Sequence, residues 1–155
     1  SRFNAEDARS RKGESLNMKQ LLIAFLLLLP AGVSGQNGKP VSVIDFVKIK
    51  DGKRAEAMFF YENNWKKYRD AALAKGFIRS YELLANTSDK VKDYDLLLIT
   101  EYADENQFRQ SEDRFNQIIK EVAPQGPKLL DDLKPADFRT NVSSVTTQAV
   151  FDSRP

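Results

Sequence analysis

The chain has 155 residues, of which 41% are hydrophobic and 30% are charged, proportions that are typical of one globular domain. It contains no cysteine and no histidine, which excludes a disulfide framework, a Ser-His-Asp triad, a Cys-His nucleophile and histidine-ligated zinc or haem. The seven glycines are scattered and form no phosphate-binding loop. We therefore predict that the protein works without a cofactor and without a metal ion.

The N-terminal part of the chain has the pattern of an export signal. Residues 1–17 are polar without apolar periodicity, and we interpret them as a disordered leader upstream of the true start at Met18. Residues 18–35 begin with a basic residue, continue with the apolar run Leu21–Leu29, and end with a proline and small residues, as a cleavable signal peptide does. The run is shorter than the roughly 20 residues that cross a bilayer, although an uncleaved anchor is an alternative. We predict cleavage after Gly35, export to the periplasm or the medium, and no stable membrane anchor afterwards.

The net charge of the predicted mature domain, residues 36–155, differs from that of the whole chain. The first 35 residues hold five of the 24 basic and three of the 22 acidic residues, which leaves 19 of each in the domain. A nucleic-acid partner requires a net basic surface that neutralises phosphates. We therefore predict that the domain does not bind nucleic acid.

Hydrophobic periodicity predicts alternating strands and helices after the signal. Val41–Lys50 is rich in β-branched residues and has apolar side chains on both faces, as a strand covered on both sides has. Lys53–Lys75 is a predicted helix that ends before Gly76, a residue suited to the left-handed position after a helix. Its apolar stripe consists of Met58, Tyr61, Trp65, Tyr68, Ala72 and Leu73.

The second half of the domain repeats this alternation. Asp104 is a predicted N-cap of a second long helix, whose apolar stripe is Phe108, Phe115, Ile118, Ile119 and Val122. The other predicted elements are the hairpin strands Phe77–Ala85 and Tyr94–Tyr102, a short helix at Lys128–Leu133 and a last strand at Arg139–Phe151. The order β-α-β-β-α-β predicts an α+β, ferredoxin-like fold: a four-stranded antiparallel sheet with two helices on one face. The other sheet face is then apolar and uncovered, which predicts a homodimer.

This element order, together with the segments Gly76–Tyr81 and Leu96–Asp104, resembles the dimeric α+β barrel superfamily, which includes antibiotic-biosynthesis monooxygenase-like and NIPSNAP-like proteins. The resemblance implies a dimeric barrel with a pocket between each sheet and its own helices. Some members oxidise polycyclic aromatic substrates without metal or flavin, using Asn, Trp and Arg residues, and others degrade haem, for which this chain has no histidine ligand. Asn64, Trp65 and Arg79 match the oxygenase residue types, but adjacent helical residues point about 100° apart.

The candidate ligand-binding residues are polar or aromatic side chains on predicted covered elements. The aromatic row on the first helix either packs as core or forms the wall of a pocket for a flat apolar ligand. Asn64 is either part of a solvated face or an amide that orients a ligand. Charged residues within strands form structural ion pairs, or Arg79 acts as an oxyanion clamp and Glu101 or Asp45 as a proton acceptor. The full candidate set is Tyr61, Asn64, Trp65, Tyr68, Arg79, Tyr81 and Glu101, and no catalytic residue is assigned.

Three functions remain open at the level of sequence. The first is an exported dimeric module that binds a small apolar or aromatic ligand in a pocket between sheet and helices. The second is a cofactor-independent monooxygenase of the antibiotic-biosynthesis type, or an isomerase, that uses the same pocket. The third is a structural or interaction protein whose pocket is filled by its own side chains. The absence of strong acid-base and metal-binding residues favours the first.

Overall fold

The structure, a computed structural model, describes residues 38–151. The predicted leader 1–17, the predicted signal 18–35 and the predicted cleavage point after Gly35 lie outside the described residues. The strands are β1 (Val41–Ile49), β2 (Ser80–Ala85), β3 (Leu96–Tyr102) and β4 (Arg139–Gln148). The helices are α1 (Arg54–Phe60), a π-helical segment (Tyr61–Trp65), α2 (Lys66–Ala74), α3 (Glu105–Arg109), α4 (Ser111–Val122) and α5 (Pro135–Phe138).

The four strands form one antiparallel sheet in the order β2-β3-β1-β4. β1 pairs with β3 on one side and with β4 on the other, and the β1–β4 register shifts between Phe46 and Val47, as at a β-bulge. β2 and β3 are the predicted hairpin. This strand order and pairing confirm the predicted ferredoxin-like α+β fold.

The helices pack on one side of the sheet, which we call the covered face. On β1 this face carries Val41, Val43, Asp45, Val47 and Ile49, because side chains alternate along a strand. Two apolar clusters join this face to the helices. One cluster contains Val47, Ile49, Leu96, Leu98, Ala57, Tyr61, Trp65 and Phe138, and the other contains Tyr68, Ala72, Ile78, Tyr102 and Ile118.

The opposite side of the sheet, which we call the open face, is apolar at its centre. Phe46 packs edge-on against Tyr94 there, with ring centroids 5.1 Å apart. Leu84 and Val145 are 43% and 40% exposed on β2 and β4. The apolar centre consists of Ile44, Phe46, Leu84, Leu97, Ile99 and Val145. Within residues 38–151 no helix covers this face, so the predicted apolar, uncovered sheet face is confirmed for that part of the chain.

Both predicted signals at helix ends are confirmed. Gly76 has a φ of 66°, and the N–H of the following Phe77 donates to the Ala72 carbonyl at 2.8 Å, which closes the end of α2. The Asp104 side chain accepts a hydrogen bond from the Gln107 N–H at 2.7 Å and caps α3.

The extent of other elements differs from the prediction. The predicted helix at Lys128–Leu133 is wrong: this segment is not helical, because Asp131 and Asp132 have φ values of 54° and 55° and turn the chain towards the short helix α5. The predicted second helix is divided at Gln110 into α3 and α4. Three members of the predicted apolar stripes are exposed, namely Leu73 at 45%, Ile119 at 39% and Val122 at 41%.

Candidate functional site

The first long helix widens at Tyr61–Trp65, where the structure has a π-helical segment. The Lys66 N–H donates to the carbonyl of Tyr61, five residues earlier, in place of the usual four. Tyr61, Asn64 and Trp65 are all buried, and their i, i+3, i+4 spacing is that of one helical stripe. Segments of this kind occur frequently at functional sites.

An apolar cavity of about 220 Å³ lies beside this segment, between the helix and the edge strand β2. Three of the predicted ligand-binding residues form its aromatic part: Tyr61, Trp65 and Tyr81. The rings of Trp65 and Tyr81 meet edge to face, with centroids 5.4 Å apart and planes at 81°. The full lining is Met58, Tyr61, Glu62, Trp65, Lys66, Tyr81 and Leu83, and we call it the aromatic cavity.

Hydrogen bonds fix Tyr81 beside this cavity. Its hydroxyl donates to the Asp70 carboxylate, which also accepts a hydrogen bond from Lys66 Nζ at 2.8 Å. The hydrogen bond from Lys66, and then that from Tyr81, lower the pKa of Asp70. The phenol ring of Tyr81 is therefore tied to α2 at a defined position, although β2 lies at the edge of the sheet.

Arg69, one turn beyond Trp65, extends into the space between the sheet and the helices. Its guanidinium carbon lies 4.7 Å from the centroid of the Trp65 ring and 4.5 Å from that of Phe115 on α4. Its Nε donates to Thr100 Oγ1 on β3 at 3.5 Å. Burial lowers the pKa of Arg69 to about 10. The sequence prediction missed this residue because its charge suggested solvent exposure, although its spacing of four from Trp65 places it on the same helical stripe.

The Tyr61 hydroxyl is a second polar feature of the covered side. This hydroxyl is buried, and no described residue makes a hydrogen bond with it. Burial raises its pKa to about 12; the positive charge of Arg139 lowers it and the negative charge of Asp45 raises it. The Arg139 guanidinium lies 5.7 Å from the centroid of the Tyr61 ring and 5.3 Å from that of Phe60, and its Nε is likewise buried without a hydrogen-bond partner among the described residues.

Asn64 and Tyr68 line a different cavity, of about 370 Å³, between the helix and residues 122–128. The Asn64 amide donates to the carbonyls of Phe60 and Lys128 and accepts from the Lys128 N–H at 2.7 Å. The interpretation of Asn64 as part of a solvated face is wrong, since it is 1% exposed. Its amide holds the loop that follows α4.

Arg79 and Glu101 lie away from both cavities. Arg79 Nε is 3.4 Å from Glu101 Oε1, and the Glu101 side chain, on the open-face side of β3, is buried. This geometry is a structural ion pair within one protomer. Asn64, Trp65 and Arg79, which the oxygenase hypothesis places in one pocket, therefore lie in three separate environments.

The described part of the chain contains no group of three or more acidic side chains that could hold a metal ion, and none of its helices is long and apolar enough to cross a membrane.

No family model matches the chain, and no curated protein matches it in sequence. Among solved structures it is similar to a dimeric ferredoxin-like protein of unknown function from Thermobifida fusca, at 17% identity and a TM-score of 0.44, over 73% of this chain and 93% of that one. It is also similar to a Dabb-family protein with a ferredoxin-like fold from Mesorhizobium loti, at 14% identity and a TM-score of 0.44, over 74% and 99% of the two chains. A dimeric ferredoxin-like protein of unknown function from Bacteroides fragilis gives 16% identity and a TM-score of 0.42, over 72% and 96%. The ferredoxin-like fold of the chain follows from its strand order β2-β3-β1-β4 and the antiparallel pairing of these strands.

Proposed function

We propose that the domain binds a small apolar or aromatic molecule in the aromatic cavity. The observation that carries this proposal is the convergence of Tyr61, Trp65 and Tyr81 on one apolar cavity beside a π-helical segment. Rings offer a large contact area at a low cost in side-chain entropy, and their edges and faces favour another flat ring. Glu62 and Lys66 also line the cavity, with the apolar parts of their side chains.

The volume of the cavity limits the size of the ligand. At about 220 Å³ it exceeds the roughly 150 Å³ of an engineered cavity that holds benzene. It is smaller than the roughly 300 to 1,000 Å³ of sites for drug-sized molecules. A molecule of one or two fused rings is therefore the size that the cavity favours.

We infer that a second copy of the chain covers the open face. The centre of this face is apolar on all four strands, and serine and threonine residues lie around it on β1 and β4. An apolar centre with a polar rim is the usual composition of a stable interface. One acidic residue, Glu82 on β2, lies on the same face opposite Ile99, at the side of this apolar centre.

We also propose that the domain works outside the cytoplasm, on the strength of the signal pattern in residues 18–35. The test is the mass of the protein recovered from the exported fraction of cells that express the whole chain. An N-terminus at Gln36 is expected. Recovery of the protein only inside the cells, with residues 18–35 intact, would contradict this part of the proposal.

Ligand binding can be tested because Trp65 is the only tryptophan of the chain. Its indole N–H gives one cross-peak in a proton–nitrogen correlation spectrum, and that peak should shift when 1-naphthamide is added. Leu83→Phe fills the cavity and should weaken binding about tenfold or more. Leu73→Phe is the matched control, because Leu73 is exposed on α2, lies outside the cavity and should leave the affinity unchanged when substituted. Equal affinities for the two variants, or no shift of the indole peak at any ligand concentration, would refute the site.

A further inference from the structure

The cavity of about 370 Å³ between the first long helix and residues 122–128 has no role in the proposed function. We call it the loop cavity. Its volume falls within the roughly 300 to 1,000 Å³ that is typical of sites for small molecules. Val122, Pro124 and Pro127 form apolar parts of its wall on the loop side. The loop cavity therefore has both the size and the apolar surface that a small organic molecule requires.

Asn64 holds the loop side of this cavity in place. The side chain of Asn64 is 1% exposed, and its amide exchanges two hydrogen bonds of 2.7 Å with the N–H and the carbonyl of Lys128. The backbone of Lys128 is thereby fixed at the wall of the cavity, which its side chain also lines. Lys67 and Tyr68 follow Asn64 by three and four residues, a spacing that places them on the same side of the helix.

Both charged residues that line the loop cavity are basic. They are Lys67 on α2 and Lys128, and neither forms an ion pair within the described part of the chain. No acidic residue is among the described residues of the wall. Glu121, which precedes Val122 in the chain, is paired with Lys75 at 2.7 Å. The wall therefore carries two positive charges and no negative charge that offsets them.

The hydroxyl of Tyr68 is a third hydrogen-bond donor at this cavity. Tyr68 is 9% exposed and its ring packs in the apolar cluster with Ile118, yet its hydroxyl makes no hydrogen bond with another described residue. Unlike the hydroxyl of Tyr61, it is not fully enclosed, so it keeps access to the space that Tyr68 lines. Burial raises the pKa of Tyr68, so the hydroxyl keeps its proton at neutral pH and can donate it.

We propose that the loop cavity binds a phosphate monoester with a small apolar group. A phosphate monoester has three terminal oxygens that accept hydrogen bonds and a charge of about −2 at neutral pH. The ammonium groups of Lys67 and Lys128 and the hydroxyl of Tyr68 match these oxygens in number, and the two ammonium groups match the charge. The apolar group contacts Val122 and Pro127. This site is separate from the aromatic cavity, so the inference does not depend on the proposed function.

The test compares four probes that lack aromatic rings: n-butyl phosphate, inorganic phosphate, pentanoate and pentanamide. Each is titrated into the full chain at about pH 8, where a phosphate group carries about two negative charges. In a proton–nitrogen correlation spectrum the backbone peaks of Gly126 and Lys128 report on the loop cavity, and the indole peak of Trp65 reports on the aromatic cavity.

We expect butyl phosphate to shift the peaks of Gly126 and Lys128 and to leave the indole peak of Trp65 in place. It should bind about fivefold more tightly than pentanoate, because it has one more negative charge and one more acceptor oxygen. Inorganic phosphate should bind more weakly than butyl phosphate because it has no apolar group. Pentanamide, which is neutral, should bind most weakly.

Four variants locate the phosphate group. Lys67→Gln and Lys128→Gln each remove one charge at an exposed position and should weaken the binding of butyl phosphate about fivefold. Tyr68→Phe keeps the buried ring, removes only the hydroxyl and should weaken binding by about the same factor. Lys120→Gln is the control, because Lys120 is an exposed lysine of α4 that does not line the cavity and should leave the affinity unchanged.

Several results would contradict the inference. If pentanoate binds as tightly as butyl phosphate, the cavity does not select a phosphate. If inorganic phosphate does so, the apolar group makes no contact and the ligand is not an ester. If Lys120→Gln weakens binding as much as Lys67→Gln, the attraction comes from the general charge of the surface. If no probe shifts the peaks of Gly126 and Lys128, the loop cavity is not a binding site, whereas the aromatic cavity keeps its own test.

Discussion

The two faces of the sheet are both apolar at their centres, which departs from the usual rule for a sheet with one solvated face. The covered face, which should be purely apolar, carries Asp45 and Thr100 and receives Arg69 from the helix. The open face, which should be polar, is apolar at Phe46 and Ile99. Antiparallel sheets of this kind normally alternate apolar residues inside with polar residues outside. The apolar open face fits the second copy of the chain that we propose to cover it, whereas the polar groups of the covered face lie among the apolar clusters that join the sheet to the helices.

The largest effect should come from a charge placed at the centre of the open face. Ile99→Lys buries an ammonium group in each half of a two-fold interface, and we expect the dimer dissociation constant to rise roughly 100-fold or more. Sedimentation velocity over a range of protein concentrations measures this change. Leu73→Lys is the control, because Leu73 is also exposed and apolar but lies on α2. If the parent chain is monomeric at all concentrations, or if the variant dimerises as well as the parent, the open face is not a dimer interface.

The next effect concerns the charged interior of the covered face. Arg69→Ala removes two contacts between a cation and a ring and the hydrogen bond to Thr100, and should lower the free energy of unfolding by about 2 to 3 kcal/mol. Arg109→Ala removes an exposed arginine whose side chain pairs with Glu105 four residues away, and should change it by less than about 0.5 kcal/mol. Urea unfolding of both variants measures the difference. If the two variants lost similar amounts of unfolding free energy, the contacts of Arg69 would contribute no more to stability than those of an exposed arginine.

Much of this contrast between the faces was predictable from the sequence. β1 alternates with a period of two, and its apolar residues occupy both sets of positions, so the sequence predicted an apolar open face before any pairing was known. The order of the elements then allowed a single sheet topology, because short connections and the hairpin between β2 and β3 exclude most others. Strand alternation and the order of the elements depend on local sequence patterns, which do not require knowledge of tertiary contacts.

The candidate site was less predictable because it depends on departures from regular geometry. A period of 3.6 predicts that Tyr61 and Trp65 are buried, but it does not detect the π-helical segment between them. Arg69 was passed over because a charged residue in a helix normally faces solvent. The loop before α5 was predicted as a helix because the left-handed φ angles of Asp131 and Asp132 have no strong signature in non-glycine residues.

A smaller effect on stability should distinguish two neighbouring amides of the first helix, the buried Asn64 and the partly exposed Asn63. Asn64→Ala leaves the N–H and carbonyl of Lys128 without their partner and should cost about 1 to 3 kcal/mol of unfolding free energy. Asn63→Ala removes a single hydrogen bond to the Phe59 carbonyl and should cost less than about 1 kcal/mol. Hydrogen exchange at Lys128 should accelerate only in the Asn64 variant. Unchanged exchange there would show that the loop is held by other contacts.

The smallest effect is expected for Tyr61→Phe, which should change the free energy of unfolding by less than about 0.5 kcal/mol at neutral pH, because no described residue binds the hydroxyl.

The parent and Tyr61→Phe should differ in stability at alkaline pH. Burial raises the pKa of Tyr61 from its ordinary value of 10.0 to about 12, so the unfolded chain releases this proton first as the pH rises. The stability that the protonated phenol contributes is complete below about pH 10 and is lost as the pH rises towards 12. At pH 11 the parent should have lost about 1 kcal/mol more than Tyr61→Phe, whereas the raised pKa values of Tyr68 and Tyr102 act in both proteins and cancel. Parallel stability curves for parent and variant between pH 9 and 11 would mean that the hydroxyl reaches solvent or an acceptor in the folded protein.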